Sequence, residues 1–519
     1  MTSEKKSIGL LSGIALGVSS ILGSGWLFAP YQAATIAGPA AIFSWIIASI
    51  IVSLLGLCFA EIAGLYPQRG LSAIIPILSH NRHFAFPFAI ANWLGVVAVI
   101  GLEADATNEY LINLVPHLQP YLFHANHLTL LGNLFSIALV VLFGVFNYWG
   151  AKTLVKANNL LTIVKVCVPL FIGCAILWTS FNPHNFVAVK NTMAPYGYQS
   201  ILTAILTCGI VVSFNGFQGI VSFANDIKSP SKTIPQAIIL SIFFSLLVYL
   251  VLEFAIIGAI PSEALEHGWH ALHFYAPVIQ VMGFIGLGFL TSVAYFGATA
   301  APVGCGIAFT GTASRMFTAM AQHKQMPSYF GQIHPVYAIS RRSLWLNLVL
   351  SIVFILLFNS WKNLAEVLGL LHVISYLPVP IALWALRSKI CDKRYGYHLP
   401  GGRVIAFLLF LFFSYLFTLA DFIITLKVMA IFSVCFIVYL ISVSRSRLHF
   451  LSILQKIWFL LLYFSAIVTL TAYTPNIGVS PTITHLLLVF SVTILFFICF
   501  IKTARTDIPL MGIRLKAIG

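Results

Sequence analysis

The chain has 519 residues, 60% of them hydrophobic and only 8% charged, with a formal net charge of +15. So little charge cannot cover the surface of a soluble domain, which excludes that class. Apolar runs of about 20 residues recur from end to end, the signature of an all-α polytopic membrane protein. The positive balance then belongs to loops against anionic lipid, and no nucleic-acid partner is needed to explain it.

In chain order, Met1 to Gly9 carries Lys5 and Lys6, and the apolar stretch after it is too long for a cleaved signal and lacks a cleavage site. It reads as a retained first span. The predicted spans cover 10–35, 39–65, 86–113, 128–148, 156–179, 200–223, 236–260, 280–310, 344–358, 364–386, 404–422, 427–444, 456–473 and 482–502, about fourteen transmembrane helices. With the N-terminus in the cytoplasm, 24 of the 28 basic residues fall in inner segments, and only Lys190, Lys362 and Lys427 fall in outer ones. That asymmetry is the positive-inside pattern. It predicts a multi-pass protein of the cell membrane with both termini cytoplasmic. A miscounted helix would scramble the alternation, so the asymmetry also supports the even number of spans.

The first span is interrupted by Gly23, Ser24 and Gly25. Glycine weakens a helix and exposes its backbone. At membrane depth, exposed backbone survives only inside protein or along a cavity. Close packing through small residues is the simpler account of these glycines. The sixth span carries a matching break, Ser213-Phe214-Asn215-Gly216-Phe217-Gln218-Gly219, followed by a polar turn, Asn225 to Pro235, with prolines at 230 and 235. Interrupted segments at corresponding places of two five-helix halves point to an inverted-repeat transport site. No sequence repeat is visible between the halves, so the symmetry rests on position alone. Gly23, Ser24 and Gly25 would then offer N–H groups and a positive dipole end to a carboxylate. Ser213, Phe214, Asn215 and Gly216 would offer carbonyls to an amine, with Phe214 or Phe217 covering the site. Gln218 would bond a substrate side chain or cap the broken helix.

Several ionisable groups lie inside spans. Lys165 sits about nine residues into the fifth, roughly 13 Å deep at 1.5 Å per residue, beyond full snorkelling reach. Glu103 and Asp105 lie in the third and point in different directions, being two residues apart. Glu103 is expected to carry a proton or to pair with Lys165. Lys165 is expected either to neutralise Glu103 or to lose and regain a proton within a transport cycle. Glu109 reads as a helix end nearing the headgroups, Glu61 as an inner helix end meeting water or a loop arginine, and Glu253 as a weaker candidate. The eight cysteines show no CxxC pair, and the histidines fall mostly in loops without ligand spacing. No disulfide, metal or cofactor is expected. No nucleophile–base set or nucleotide loop appears, so no enzyme is expected either.

These residues resemble the amino acid–polyamine–organocation permeases, whose core is the five-plus-five inverted repeat of the leucine transporter. Gly23 to Phe28 looks like their first-helix motif, with Ala37-Gly38-Pro39 as the following turn. Ala60-Glu61 with Tyr66-Pro67-Gln68-Arg69-Gly70 is similar to their second-helix ending, and Asn225 to Pro235 to the stretch after the sixth helix. Within the family, the aspartate–proton symporters are the nearest match, through Glu103-Ala104, Glu109-Tyr110-Leu111, Asn147-Tyr148-Trp149, Gly258-Ala259-Ile260-Pro261 and Glu266-His267-Gly268-Trp269. The resemblance implies substrate contacts at Ser24, Gly25 and Ser213 to Gly216. It also implies that Lys165 fills the place of a sodium ion between helices one, five and eight. Gly297 stands where those symporters are expected to carry an aspartate, and Gln218 where they carry a histidine or an acid.

The resulting expectation is a secondary active transporter importing an amino acid, proton-coupled and sodium-independent. It would work by alternating access around broken helices 1 and 6. Residues 1–395 would form the transport core and 396–519 four accessory helices with a cytoplasmic tail. An amino acid or amine exchanger is the alternative, and a non-transporting amino acid sensor a more distant one.

Overall fold

The computed structural model describes residues 8–66, 71–112, 117, 119–124, 127–149, 152–224, 227–337, 339–358, 360–389, 396–443, 447–474 and 483–504. Pro67, Gln68, Arg69, Gly70, Asn225, Asp226, one of the eight cysteines (Cys391) and the tail beyond 504 lie outside the described residues. So do the basic residues Lys5, Lys6, Lys393, Arg394 and Arg445.

The fold is helical almost throughout. The first crossing is made of two half-helices, α1 (Leu10–Ile21) and α2 (Gly25–Ala37), and α3 (Ala41–Leu65) returns. A short helix, α4 (Leu71–Ser79), precedes α5 (Arg82–Ile112). After α6 (Gln119–Leu122), a two-residue hairpin, β1 (Phe123–His124) and β2 (His127–Leu128), leads to α7 (Leu130–Tyr148) and α8 (Lys152–Thr179). The sixth crossing is assembled from α9 (Gln199–Thr207), α10 (Ile210–Ser213) and α11 (Phe217–Ser222), and α12 (Pro230–Ala259) is the seventh. A surface helix, α13 (Pro277–Phe284), precedes α14 (Thr291–Gln322) and α15 (Arg341–Phe358). The tenth crossing is α16 (Trp361–Tyr376) continued by α17 (Pro378–Lys389). Four further crossings complete the fourteen: α18 (Gly402–Thr418), α19 (Phe422–Val443), α20 (Arg447–Ala472) and α21 (Ile483–Lys502).

Among the described residues, eleven helical runs are long and apolar enough to cross a membrane unaided; α1 and α18 are shorter. Large apolar side chains stand exposed along outward faces, as with Leu134, Phe135, Leu142 and Phe146 on α7 and Leu487, Leu488 and Leu495 on α21. A soluble protein would not leave such stripes open; lipid covers them. The interior is organised around α5, nearly every residue of which is buried. It packs against α14, α15, α16, α4 and α7, so its polar residues are placed at the centre of the molecule.

Both predicted breaks are present. Residues 22–24 separate α1 from α2, and residues 214–216 separate α10 from α11. A further kink lies at Gly209, whose φ of +74° suits glycine alone among residues without strain. The breaks lie back to back: a Cβ on Gly216 would run into the backbone of Ser20 and Ile21. The eighth span differs most from expectation. It begins at Thr291 and runs to Gln322, while the apolar stretch around 280 is the separate helix α13.

Candidate functional site

The break in the first crossing leaves a helix C-terminus and a helix N-terminus facing each other. Each has orphan backbone groups and an end charge of the helix dipole. The protein meets the two ends with opposite charges. At the start of α2, the Ser24 N–H donates to Glu103 Oε2 at 2.9 Å. At the end of α1, Lys165 Nζ donates to the Ser19 carbonyl at 2.9 Å. Both charged groups are buried, Lys165 at 1% exposure and Glu103 at 3%. Gly23 has no alternative side chain here, because a Cβ would collide with Glu103 Oε1 and stand 2.8 Å from Cys305 Sγ.

Lys165 and Glu103 therefore bind separate backbone groups and influence each other only through space. The α8 helix begins earlier than predicted, at Lys152. Cys305, on α14, faces both charges.

Tyr249, on α12, joins the two breaks. Its hydroxyl lies 3.2 Å from the Ile21 carbonyl, which also accepts the Gly23 N–H at 3.0 Å, and 3.3 Å from that of Ser213, the last carbonyls of α1 and α10. The ring is held by Trp45, stacked at 4.3 Å, and by Phe214 edge-on at 5.5 Å. Trp45 in turn donates to Glu253 at 2.8 Å, which accounts for that carboxylate as an anchor of the aromatic group.

In the second break the Asn215 side chain is the hub. Its Oδ1 accepts from Gln218 Nε2 at 2.7 Å and from the Tyr376 hydroxyl at 2.7 Å. Its Nδ2 meets His372 Nε2. The other ring nitrogen of His372 lies 2.8 Å from the Leu368 carbonyl. A carbonyl only accepts, so Nδ1 carries the proton and Nε2 receives the Asn215 amide.

Gly23, Gly25, Ser213 and Asn215 line a central cavity of about 30 Å3, together with Glu103, Cys305 and Trp361. One or two waters fit there; an amino acid does not. Ser24 does not line it: its N–H is held by Glu103, and its hydroxyl accepts from Trp361 Nε1 at 3.0 Å. Phe214 packs on Trp45 and Tyr249 instead of facing the cavity. Phe217 packs on Phe59 and Tyr376. Gly216 abuts α1, and Gln218 bonds Asn215 across the turn, the capping alternative of its two readings.

A second, larger space of about 380 Å3 opens above, lined by Phe28, Tyr31, Gln32, Glu109, His270, His273, Trp361 and Lys362 among others. Trp361 borders both spaces. Its indole stacks on Phe28 at 4.8 Å and 21°, and Tyr110 meets Phe28 edge-on at 5.3 Å. Glu109 is buried, lines this vestibule and accepts the backbone N–H of Trp361 at 3.3 Å. The loop around 270–275 folds over it. Burial pushes the pKa of His270, in that loop, below its ordinary value; contact with the Thr35 backbone opposes this, and the charges of Lys190 and Lys362 add to it. At the far end of the tenth crossing, Arg387 clasps Glu61 through two bonds of 2.8 and 2.6 Å, and Glu61 also accepts the Leu399 N–H. The predicted arginine partner is thus found on a helix.

Asp105, two residues from Glu103, points away from the break toward Ser136 of α7, as the helical spacing required. At Gly297 a Cβ would meet the Val168 side chain, so an acidic side chain there would require Val168 to give way. The sequence reading overlooked Tyr249, His372, Tyr376 and Trp361. The one available signal was His372, an imidazole in an apolar helix.

An amino acid permease family model matches residues 8–492. The glutamate/serine transporter AimA of Bacillus subtilis is 36% identical over 418 residues, 80% of this chain and 77% of that protein. The aspartate-proton symporter of the same organism is 34% identical over 414 residues, 79% of each. Its branched-chain amino acid permease BcaP is 24% identical over 429 residues, 80% of this chain and 88% of the permease. With its two broken helices in a five-plus-five inverted repeat, this multi-pass membrane protein belongs to the amino acid permease family and imports an amino acid.

Proposed function

We propose that the chain carries a small polar or acidic amino acid together with a proton, independently of sodium, into the cell across its plasma membrane. The observation that carries this reading is Glu103 on the Ser24 N–H. That amide, at the positive end of α2, is where a substrate carboxylate would bind. In the closed state Glu103 stands in for it.

Coupling then follows from competition. A proton on Glu103 removes its charge and weakens its bond to Ser24, because charge-assisted bonds are the stronger kind. The substrate carboxylate can then take the amide. Its ammonium would find the carbonyls of Ile21 and Ser213 now shared by Tyr249, and the Gly25 and Asn215 surroundings. Release of the proton on the other side returns Glu103 to Ser24 and expels the substrate. Lys165 stays as the fixed counter-charge at the end of α1, occupying the space a sodium ion would need. The names of the relatives, covering glutamate, serine and aspartate, favour a small polar or acidic cargo.

The basic loops set the N-terminus in the cytoplasm, as the positive-inside rule requires. The vestibule then faces outward and the Glu61–Arg387 clasp closes the inner end. Residues 1–395 act as the transport core and 396–519 as its accessory part, with no enzymatic role in either.

The test is uptake of labelled L-glutamate, L-aspartate and L-serine into proteoliposomes made with the full chain. An inside-alkaline pH gradient without sodium should drive accumulation of at least one. Uptake only into vesicles preloaded with amino acid would instead mark an exchanger and refute the coupling.

A further inference from the structure

We infer that the Asn215 side chain selects the cargo by its side chain, presenting one amide N–H to a hydroxyl or carboxylate oxygen, and that His372 is the positioning residue that holds the amide in that sense. The inference rests on the transport reading above and names the group that discriminates at the central site.

The amide is fixed by its neighbours. Its oxygen is filled by two donors, Gln218 Nε2 of α11 and the Tyr376 hydroxyl of α16, each at 2.7 Å. One of its two N–H bonds is given to His372 Nε2. His372 cannot exchange roles, because Nδ1 keeps its proton for the Leu368 carbonyl at 2.8 Å. Turning the amide over would set Asn215 Oδ1 against the unprotonated Nε2, acceptor against acceptor, and would break the bond from Gln218. The imidazole is wedged in turn. It is fully buried, and a Cβ on Gly95 of α5 would stand 2.8 Å from its Cε1, so the ring fills the room that this glycine leaves.

One N–H therefore remains on Asn215, and Asn215 lines the central cavity. The other polar side chains of the lining are committed. The hydroxyls of Ser20 and Ser213 donate one turn back, to the carbonyls of Leu16 and Gly209. Trp361 Nε1 donates to Ser24, and the Cys305 thiol faces Glu103. Among the described residues the lining holds no lysine, arginine or histidine. The amide of Asn215 is thus the N–H donor that the cavity wall offers to a side chain.

The chemical consequence is selectivity without a cation. An oxygen on the cargo's side chain accepts that N–H. A hydrocarbon side chain leaves it buried and unpaired, which costs binding. An ammonium side chain meets it donor against donor. Serine, aspartate and glutamate side chains are favoured on this ground over alanine, 2-aminobutyrate and lysine.

The experiment is equilibrium binding to the purified full-length chain in detergent. It uses two labelled pairs that differ chiefly in side-chain oxygen, L-serine against L-alanine and L-aspartate against L-2-aminobutyrate. The wild type should prefer the oxygen-bearing member of at least one pair by about tenfold or more, the scale of one hydrogen bond to a buried donor. Asn215→Asp keeps both acceptor bonds and removes the N–H. The preference should collapse to near parity, through loss of the oxygen-bearing member alone. His372→Leu, which frees the amide to rotate, should lower the preference. His372→Gln, whose Oε1 replaces the Nε2 acceptor, should restore it. A merely structural role of His372 would move both members of a pair together. The two His372 variants decide the question should Asn215→Asp not elute as a monodisperse species. Overturning results are a wild type indifferent within both pairs, an Asn215→Asp protein with the wild-type preference, or equal preferences in His372→Leu and His372→Gln. Each of these leaves proton-driven uptake, and with it the transport reading, untouched. A wild type that binds no member of either pair overturns both readings. Lost preference in Asn215→Asp, with uptake only into preloaded vesicles, overturns the coupling and upholds the selectivity.

Discussion

Glu103→Gln separates the charge of the carboxylate from its shape. The amide oxygen still reaches the Ser24 N–H, which lies 2.9 Å from Glu103 Oε2, and it mimics a carboxyl that never gives up its proton. A bond to an ionised acceptor contributes roughly 1.5–3 kcal/mol and a neutral one roughly 0.5–1.5 kcal/mol. The hold on the Ser24 loop thus falls by about 1–1.5 kcal/mol, a factor of about 5 to 13. Substrate affinity at alkaline pH should rise by that factor and lose its pH dependence. Accumulation driven by a pH gradient should disappear, while counterflow between equal pH values persists. The measurements are binding of labelled substrate across pH 5.5–8.5 (roughly the range bracketing a coupled carboxyl) and paired uptake assays in proteoliposomes. A Glu103→Gln protein that keeps the wild-type pH profile of binding and still concentrates substrate refutes the competition.

Lys165→Ala should abolish proton-driven uptake while the protein remains folded, since it removes the cap from the Ser19 carbonyl; unchanged uptake would free Lys165 of any coupling role. Gly216→Ala sets a Cβ against the backbone of Ser20 and Ile21, where no flexible side chain can yield. It should destabilise by about 1–3 kcal/mol, read as a lower thermal midpoint in detergent, and an unchanged midpoint would disprove the close approach. Arg387→Ala leaves Glu61, 3% exposed, without its cation, a loss of about 3–5 kcal/mol for a buried pair. The double variant with Glu61→Gln should recover part of the lost thermal stability, and no recovery would contradict the clasp.

Much of this was legible in the sequence because membranes punish irregular backbone. Gly23, Gly25 and Gly216 had to mark breaks, and the break positions matched. The direction of Glu103 against Asp105 followed from helical geometry alone. What escaped was tertiary. Gly23 looked like a donor of backbone to substrate, whereas its missing side chain also admits Glu103 Oε1. Phe214 looked like a lid but serves the Trp45–Tyr249 stack. Trp361 at a helix start reads as an interfacial aromatic, and only its contacts with Phe28 and Ser24 show a partition between two spaces. That Glu109 lines a vestibule could not be read from the sequence, because the loop that covers it lies more than 150 residues away in the chain. The eighth span was misplaced because its second half, from Gly311 to Gln322, carries threonines, serine and arginine that hydropathy discounts, although most of these residues are buried against neighbouring helices.

The most direct measurement is a structure of the full chain at acidic pH with its amino acid bound. The substrate carboxylate should sit on the Ser24 N–H, with the Glu103 carboxyl withdrawn from it. A substrate bound elsewhere while Glu103 keeps its bond to Ser24 would contradict the account.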